Sequence, residues 1–309
     1  MLKVEGLYKQ YGGLIAVNHI DFSLNPGDIF GFIGSNGAGK TTTIRMIATL
    51  LEPTSGTASI NGADIHRDPM EVKRQIGYMP DFFGLYDDVK VWEYLDFFAT
   101  IYKVAIRQRA DVIDQVLELT NLGTKKEAFV QSLSRGMQQR LCLARCLVHD
   151  PALLLLDEPA SGLDPRARAE LKELIAELGR MGKIVIVSSH ILPELADFCN
   201  TVGIIERGNM LAFGPVKEIV KQVRPARHIQ IRVLGSSIET YALVKDFANV
   251  LEAEQGEDGL VRLEFDGDYE AQANLLKSLV DNGNKVIDFR EDHANLEDVF
   301  MKITTGAVN

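Results

Sequence analysis

Eight consecutive residues, Gly34-Ser35-Asn36-Gly37-Ala38-Gly39-Lys40-Thr41, fit the pattern GxxxxGK[ST] between a short apolar run, Ile29–Ile33, and a segment of helical period. Glycines let a backbone curl so that its amides and the start of the next helix face one anion. Gly34, Ser35, Asn36, Gly37, Ala38 and Gly39 would therefore cradle phosphate oxygens, and Lys40 would set a cation on the outer phosphates. Thr41, followed by Thr42, would offer a hydroxyl to Mg2+. The implied chemistry is nucleotide binding.

Further along, the apolar run Leu153–Leu156 ends in Asp157-Glu158-Pro159. A buried strand delivering two carboxylates at its C-terminal end places them where α/β sheets bind ligands. Asp157 would hold Mg2+ through water, and Glu158 would polarise an attacking water. Ser134 and Gly136, in Leu133-Ser134-Arg135-Gly136-Met137-Gln138-Gln139-Arg140, open a helical segment, so a hydroxyl and free amides can grip a second phosphate. Ser189-His190 follows the strand-like run Ile184–Val187. Taken alone, His190 reads as a core histidine and Tyr11 as a packed aromatic.

In this order the motifs are similar to those of the ATP-binding subunits of ABC transporters, over about residues 2–215. The resemblance implies ATP and Mg2+ as ligands and ATP hydrolysis as the activity. It makes Leu133–Arg140 the signature motif, puts Asp164 of Ser161-Gly162-Leu163-Asp164 in the nucleotide-binding set, brings His190 to the γ-phosphate and stacks Tyr11 on adenine. It implies a homodimer that sandwiches two ATPs head to tail, bound to a separate membrane permease at the cytoplasmic face of the membrane, with no insertion of its own. Arg135 and Met137 stand where the family usually has Gly and Gln, and Asp81, in Ile76-Gly77-Tyr78-Met79-Pro80-Asp81, stands where Gln is usual. Asp can still meet the metal but cannot donate to the water, so slowed hydrolysis is expected. The C-terminal stretch Asn295-Leu296-Glu297-Asp298-Val299-Phe300-Met301-Lys302 resembles the ending of drug- and antibiotic-export ATPases, which places the chain in an exporter. Phe82, Phe83, Leu85 and Tyr86 are either a socket for the permease or packing under the helices that follow.

These residues need a scaffold, and the hydrophobic pattern predicts one. Residues 2–33 alternate apolar stretches with turn signals, as β-rich structure does. A helix over Thr41–Leu50 and a strand at Thr57–Ile60 come next. From Val91 to Leu119 the period turns helical, with stripes Trp92, Leu95, Phe98, Ala99, Tyr102 and Val112, Val116, Leu119 predicted to face a core. Helices at Gly136–Val148 and Ala167–Leu178 then alternate with unalternating apolar strands, which predicts a mostly parallel sheet covered on both faces. The last ninety residues or so read as strand His228–Leu234, helix Ile238–Val250, strands Leu251–Glu254 and Leu260–Phe265, helix Tyr269–Asn282 and strand Lys285–Phe289, with a short helix from Asn295. That βαββαβ order is the split pattern of a ferredoxin-like sandwich. The expected fold is α/β: a P-loop NTPase domain of the ABC type at residues 1–219, with a helical subdomain at about 82–135, and a small α+β ferredoxin-like domain at residues 220–309, joined near Pro225.

Composition narrows the function. A chain of 309 residues suits about two domains. The net charge of −10 weighs against gripping nucleic acid, and the tail carries more acid per residue than the rest. No apolar run approaches the roughly 20 residues of a bilayer helix, and Glu5, Lys9 and Gln10 interrupt any signal-peptide core. Cys142 and Cys146 lie four apart in a helical pattern without zinc spacing, so buried thiols in a reducing compartment are expected. Two alternatives compete with the transporter reading. A soluble ATPase acting on ribosomes or DNA is disfavoured by a single cassette, no heptad arm and acidic charge. A regulatory, nucleotide-gated module with little turnover would suit Asp81 and the altered signature but not Glu158 and His190. For the tail, a fold alone does not choose among dimer support, ligand binding and inert packing; dimer support is favoured, because a homodimer would bring two such sandwiches together beyond the ATP interface.

Overall fold

The structure, a computed structural model, describes residues 1–82, 84–86, 88–190, 195, 198–223, 227–235, 237–256 and 259–292. The chain divides into two units, Met1–Val216 and Lys217–Asn309.

The first unit opens with β1 (Leu2–Tyr11) and β2 (Leu14–Leu24), an antiparallel pair, followed by β3 (Ile29–Ile33) and α1 (Lys40–Ile47). β4 (Ser55–Ile60) and β5 (Ala63–Asp64) complete a four-stranded sheet of order β2-β1-β4-β5. α2 (Pro69–Gln75) leads into β6 (Ile76–Met79), and two helices follow, α3 (Val91–Ile101) and α4 (Ile106–Leu119). α5 (Arg135–Leu147), β7 (Leu153–Leu156), α6 (Pro165–Arg180), β8 (Ile184–Ser189), β9 (Thr201–Glu206) and β10 (Asn209–Pro215) come next. A six-stranded sheet runs β10-β9-β3-β8-β7-β6, parallel except for β10. Every residue of β3, β7 and β8 is buried, which is why these strands read as unbroken apolar runs: helices and a second sheet cover both faces. Phe22 of β2 stacks on Phe30 at 5.2 Å between ring centroids, and Phe30 on Phe32 at 5.5 Å, within a core shared by both sheets.

The helical stripes differ from expectation. α3 buries Val91, Tyr94, Leu95 and Ala99, while Trp92 and Phe98 are half-buried and Tyr102 is exposed. α4 buries Ile113, Val116 and Leu117, with Thr120 just beyond, and leaves Val112 and Leu119 half-buried. Two overlapping apolar faces fit the α4 sequence equally, and packing chose the one a residue further on. On α3 the buried Tyr94 hydroxyl lies 3.5 Å from Arg145 Nη1, a long-range partner that period cannot reveal.

α7 (Val216–Val223) falls at the division. The second unit contains β11 (Arg227–Val233), α8 (Ser237–Lys245), β12 (Val250–Gln255), β13 (Leu260–Phe265), α9 (Tyr269–Asp281) and β14 (Val286–Asp292). The sheet order β12-β13-β11-β14, antiparallel throughout, is the ferredoxin-like arrangement over a core that includes Ile229, Ile231, Leu263, Phe265, Leu275 and Leu279. α8 stops at Lys245 and not at Val250, because Asn249 turns left-handed at φ 68° and Val250 pairs with Phe265 as the first residue of β12. Pro225, Phe83 and the stretch Asn295–Lys302 lie outside the described residues. Among the described residues no helix is long and apolar enough to cross a membrane. Cys142, Cys146 and Cys199 are free and buried, and burial pushes the Cys142 thiol up to about 12.

Candidate functional site

The glycine-rich loop joins the C-terminal end of β3 to α1, and two of its glycines are required by close approach. A Cβ on Gly34 would stand 2.3 Å from the Ile205 carbonyl oxygen, and one on Gly39, at φ 115°, would stand 2.5 Å from the Ala16 carbonyl oxygen. No side chain caps α1, so its first-turn amides are left to an outside acceptor. Ala38, buried, anchors the loop by donating to the Ser35 carbonyl at 3.1 Å and accepting from Gly208 N–H at 2.9 Å. Lys40 is only 6% exposed; its ammonium donates to the carbonyls of Gly34 at 2.7 Å and Ser35 at 3.2 Å and lies 3.7 Å from Glu158 Oε1. Burial lowers its pKa, against the raising influence of Glu158 and Asp157.

Asp157, fully buried at the end of β7, accepts from Ser188 Oγ at 2.7 Å and from Thr41 Oγ1 at 3.1 Å through one carboxylate oxygen. Its other oxygen, Oδ2, is buried with no hydrogen-bond partner among the described residues. A buried, half-satisfied carboxylate beside a hydroxyl is the oxygen donor set that fits Mg2+. Glu158 adopts a left-handed backbone, φ 49°; its N–H donates to Ser188 Oγ at 2.9 Å. Its Oε2 lies 2.9 Å from Nδ1 of His190, so His190 stands at the site and not in the core. Asp81 joins them, its Oδ1 accepting from Phe82 N–H at 2.9 Å. Asn36, Gly37, Gly39, Lys40, Thr41, Thr42, Asp81, Glu158 and His190 line one polar cleft of about 360 Å³.

Ser134, Gly136 and Asp164 sit elsewhere, around a second cleft of about 370 Å³. Ser134 caps α5, accepting from Met137 N–H at 3.4 Å, and Asp164 caps α6, accepting from Ala167 N–H at 2.9 Å. Gly136 lets the two helices meet, since a Cβ there would lie 2.9 Å from Ala167 Cβ. Tyr11 lines neither cleft: it is 47% exposed at the end of β1, with Lys9 Nζ 5.1 Å from its ring centroid, and Ala16 of β2 borders the phosphate loop instead.

The sequence does not single out Ser188, nor, within the signature stretch, the contact that Gln139 makes. Ser188 bridges Asp157 and Glu158, and a hydroxyl continuing the apolar run Ile184–Val187 is the signal that marks it. Gln139, buried, donates its amide to the Pro159 carbonyl, and a polar residue on the inner face of α5 is its signal.

Comparison with known proteins gives concordant results. A family model described as ABC transporter matches residues 17–161. The bacitracin transport ATP-binding protein BcrA of Bacillus licheniformis is 36% identical over 307 residues, covering 99% of this chain and 98% of its own length. The Nod factor export ATP-binding protein I of Cupriavidus metallidurans is 34% identical over 98% of this chain and 97% of its own length. A solved structure of an ATP-binding subunit of an ABC transporter superposes with a TM-score of 0.65 at 31% identity, covering 72% of this chain and 92% of its own.

Proposed function

This chain belongs to the ATP-binding subunits of ABC transporters, and from that premise we propose how its two clefts divide the work of driving export. The chain binds ATP and hydrolyses it. In the first cleft, amides of residues 36–42 and the Lys40 ammonium receive the β- and γ-phosphates. Thr41 and Asp157 hold Mg2+, which neutralises developing phosphate charge when bound. Glu158 orients a water for in-line attack on the γ-phosphorus, the bond to the β–γ bridging oxygen breaks, and ADP and inorganic phosphate leave. His190, held by Glu158, reaches the γ-phosphate. Asp81 contributes to the metal's surroundings but supplies no donor to the water, which slows this step.

The second cleft, with Ser134, Gly136 and Asp164, receives the nucleotide seated on a second copy of the chain, so that two chains enclose two ATPs head to tail. The observation that carries this reading is the separation of the two sets of nucleotide-binding residues into clefts with no shared lining residue. A mixing experiment tests it. Lys40→Ala and Ser134→Arg chains, each inactive alone, restore turnover when combined, because the mixed dimer has one intact site. Absence of turnover at every mixing ratio refutes the arrangement.

The permease docks on a groove of about 390 Å³ where Met70, Tyr78, Phe98 and Ile101 give an apolar floor and Lys73, Arg74, Lys103 and Arg145 give positive charge. Tyr86, 57% exposed, extends that surface through Phe97, whose ring meets Tyr86 at 5.9 Å and the groove residue Phe98 at 5.2 Å between centroids. Docking there places the chain at the cytoplasmic face of the membrane. The cargo is of the drug or antibiotic class, as in the bacitracin-transport relative, and is selected by the permease. Ile101→Glu, at an exposed position, is expected to leave ATPase activity intact and release the chain from permease-containing membranes; retention on those membranes refutes the docking site.

A further inference from the structure

The loop after β7 holds Glu158 at φ 49°, a left-handed backbone that is strained for a non-glycine residue and persists only where neighbours impose it. Within the loop, Ser161 N–H donates to the Glu158 carbonyl at 3.1 Å. Two further restraints come from α5. Gln139 donates to the Pro159 carbonyl, and Arg135 Nη2 lies 3.4 Å from the Ser161 carbonyl oxygen. Residues four apart share a helix face, so both side chains reach the same loop. The Arg135 guanidinium lies flat on Gly162: a Cβ there would stand 2.5 Å from Nη2 and 2.6 Å from Cζ. Gly162 itself turns left-handed, φ 69°. Thus α5 grips the backbone at Pro159 and Ser161, the stretch that immediately follows Glu158. Ser161 borders the first cleft while Arg135 borders the second, so this one guanidinium spans the wall between them.

We propose that Arg135 is a positioning residue for hydrolysis: by clamping the Ser161–Gly162 turn it holds Glu158 in the orientation that addresses the attacking water. The inference rests on the reading of Glu158 as the group that orients that water. A neutral side chain at 135 releases the Ser161 carbonyl from α5 and leaves Gln139, at Pro159, as the side chain of α5 that holds the loop among the described residues, so the Glu158 carboxylate spends less time aimed at the attacking water while the phosphate loop is untouched. Arg135 is exposed, and its removal should cost the fold little.

A double-mutant cycle of Arg135→Ala and Glu158→Gln tests this, read by single-turnover hydrolysis, equilibrium ATP binding and Tm. Arg135→Ala alone is expected to slow hydrolysis about fivefold, the scale of one ordinary, solvent-exposed hydrogen bond, with ATP affinity and Tm unchanged. Arg135→Lys, which keeps a donor for the Ser161 carbonyl, should recover part of the rate. In the Glu158→Gln background the Arg135→Ala effect should vanish, because the group it positions is gone. An equal slowing in both backgrounds overturns the proposal, since Arg135 would then act on the nucleotide directly. Unchanged hydrolysis in Arg135→Ala, or a slowing matched by lost ATP affinity or Tm, overturns it as well. If Glu158→Gln alone hydrolyses at the native rate, the reading of Glu158 fails and the positioning role falls with it, an outcome distinct from the others.

Discussion

Replacing Ser188 with alanine removes one hydroxyl from a fully buried strand position and disconnects two groups at once. Ser188 Oγ donates to Asp157 Oδ1 at 2.7 Å and accepts from Glu158 N–H at 2.9 Å. Asp157 has no exposure and already carries one unpartnered oxygen, so the variant leaves its carboxylate with Thr41 as its hydrogen-bonding side chain. Losing a bond to a buried carboxylate costs about 1.5–3 kcal/mol, and stranding the Glu158 N–H adds about 1–2 kcal/mol. The sum, roughly 3–5 kcal/mol, corresponds to a fall in Tm of about 10 °C for a unit of this size. Calorimetry on Ser188→Ala measures that fall, and a cycle with Asp157→Asn isolates the coupling, expected at about 1–2 kcal/mol. Hydrolysis should fall together with stability, because the same hydroxyl holds the strained Glu158 backbone in place. A Tm within about 2 °C of the native chain, or no coupling to Asp157, would refute the bridging role.

Gly136→Ala brings its Cβ against Ala167 Cβ, pushing α5 from α6 at a cost of about 1–2 kcal/mol by denaturant unfolding; adding Ala167→Gly should recover most of it, and failure to do so argues that the glycine is not needed for packing. Asp81→Gln should raise turnover about fivefold by giving the water a donor, measured as kcat at saturating ATP; an unchanged kcat refutes the proposed slowing by Asp81. His149 stacks on Tyr102 at 3.6 Å between ring centroids, bonds the Ile76 carbonyl through Nε2 at 2.9 Å, and has its pKa lowered chiefly by burial. The folded state therefore resists a proton that the unfolded chain accepts, so stability is full above the ordinary imidazole value of about 6.5 and is lost as pH falls through the depressed one. His149→Phe should flatten the dependence of Tm on pH below about 6.5, and an unaltered slope would assign that dependence to other groups.

How much was legible in the sequence depended on how far apart the cooperating atoms lie along the chain. The phosphate loop was legible because Gly34 to Thr42 act within one turn of backbone: the curl, the free amides, the cation and the hydroxyl are local properties. The buried parallel strands and the βαββαβ order of the second unit were legible as well, since apolar period directly reflects burial on one face or two. The tertiary structure alone brought Thr41 to Asp157, 116 residues on, and Glu158 to His190, 32 residues on. Those meetings follow from strand order: β3, β8 and β7 lie side by side and parallel though they are far apart and out of sequence order, so three loops converge at the C-terminal ends of these strands. It alone gathered Ser134, Gly136 and Asp164 around one second cleft, left Tyr11 exposed, and chose the buried faces of α3 and α4. In each case the deciding energy belongs to contacts between distant segments, which residue order constrains but does not specify.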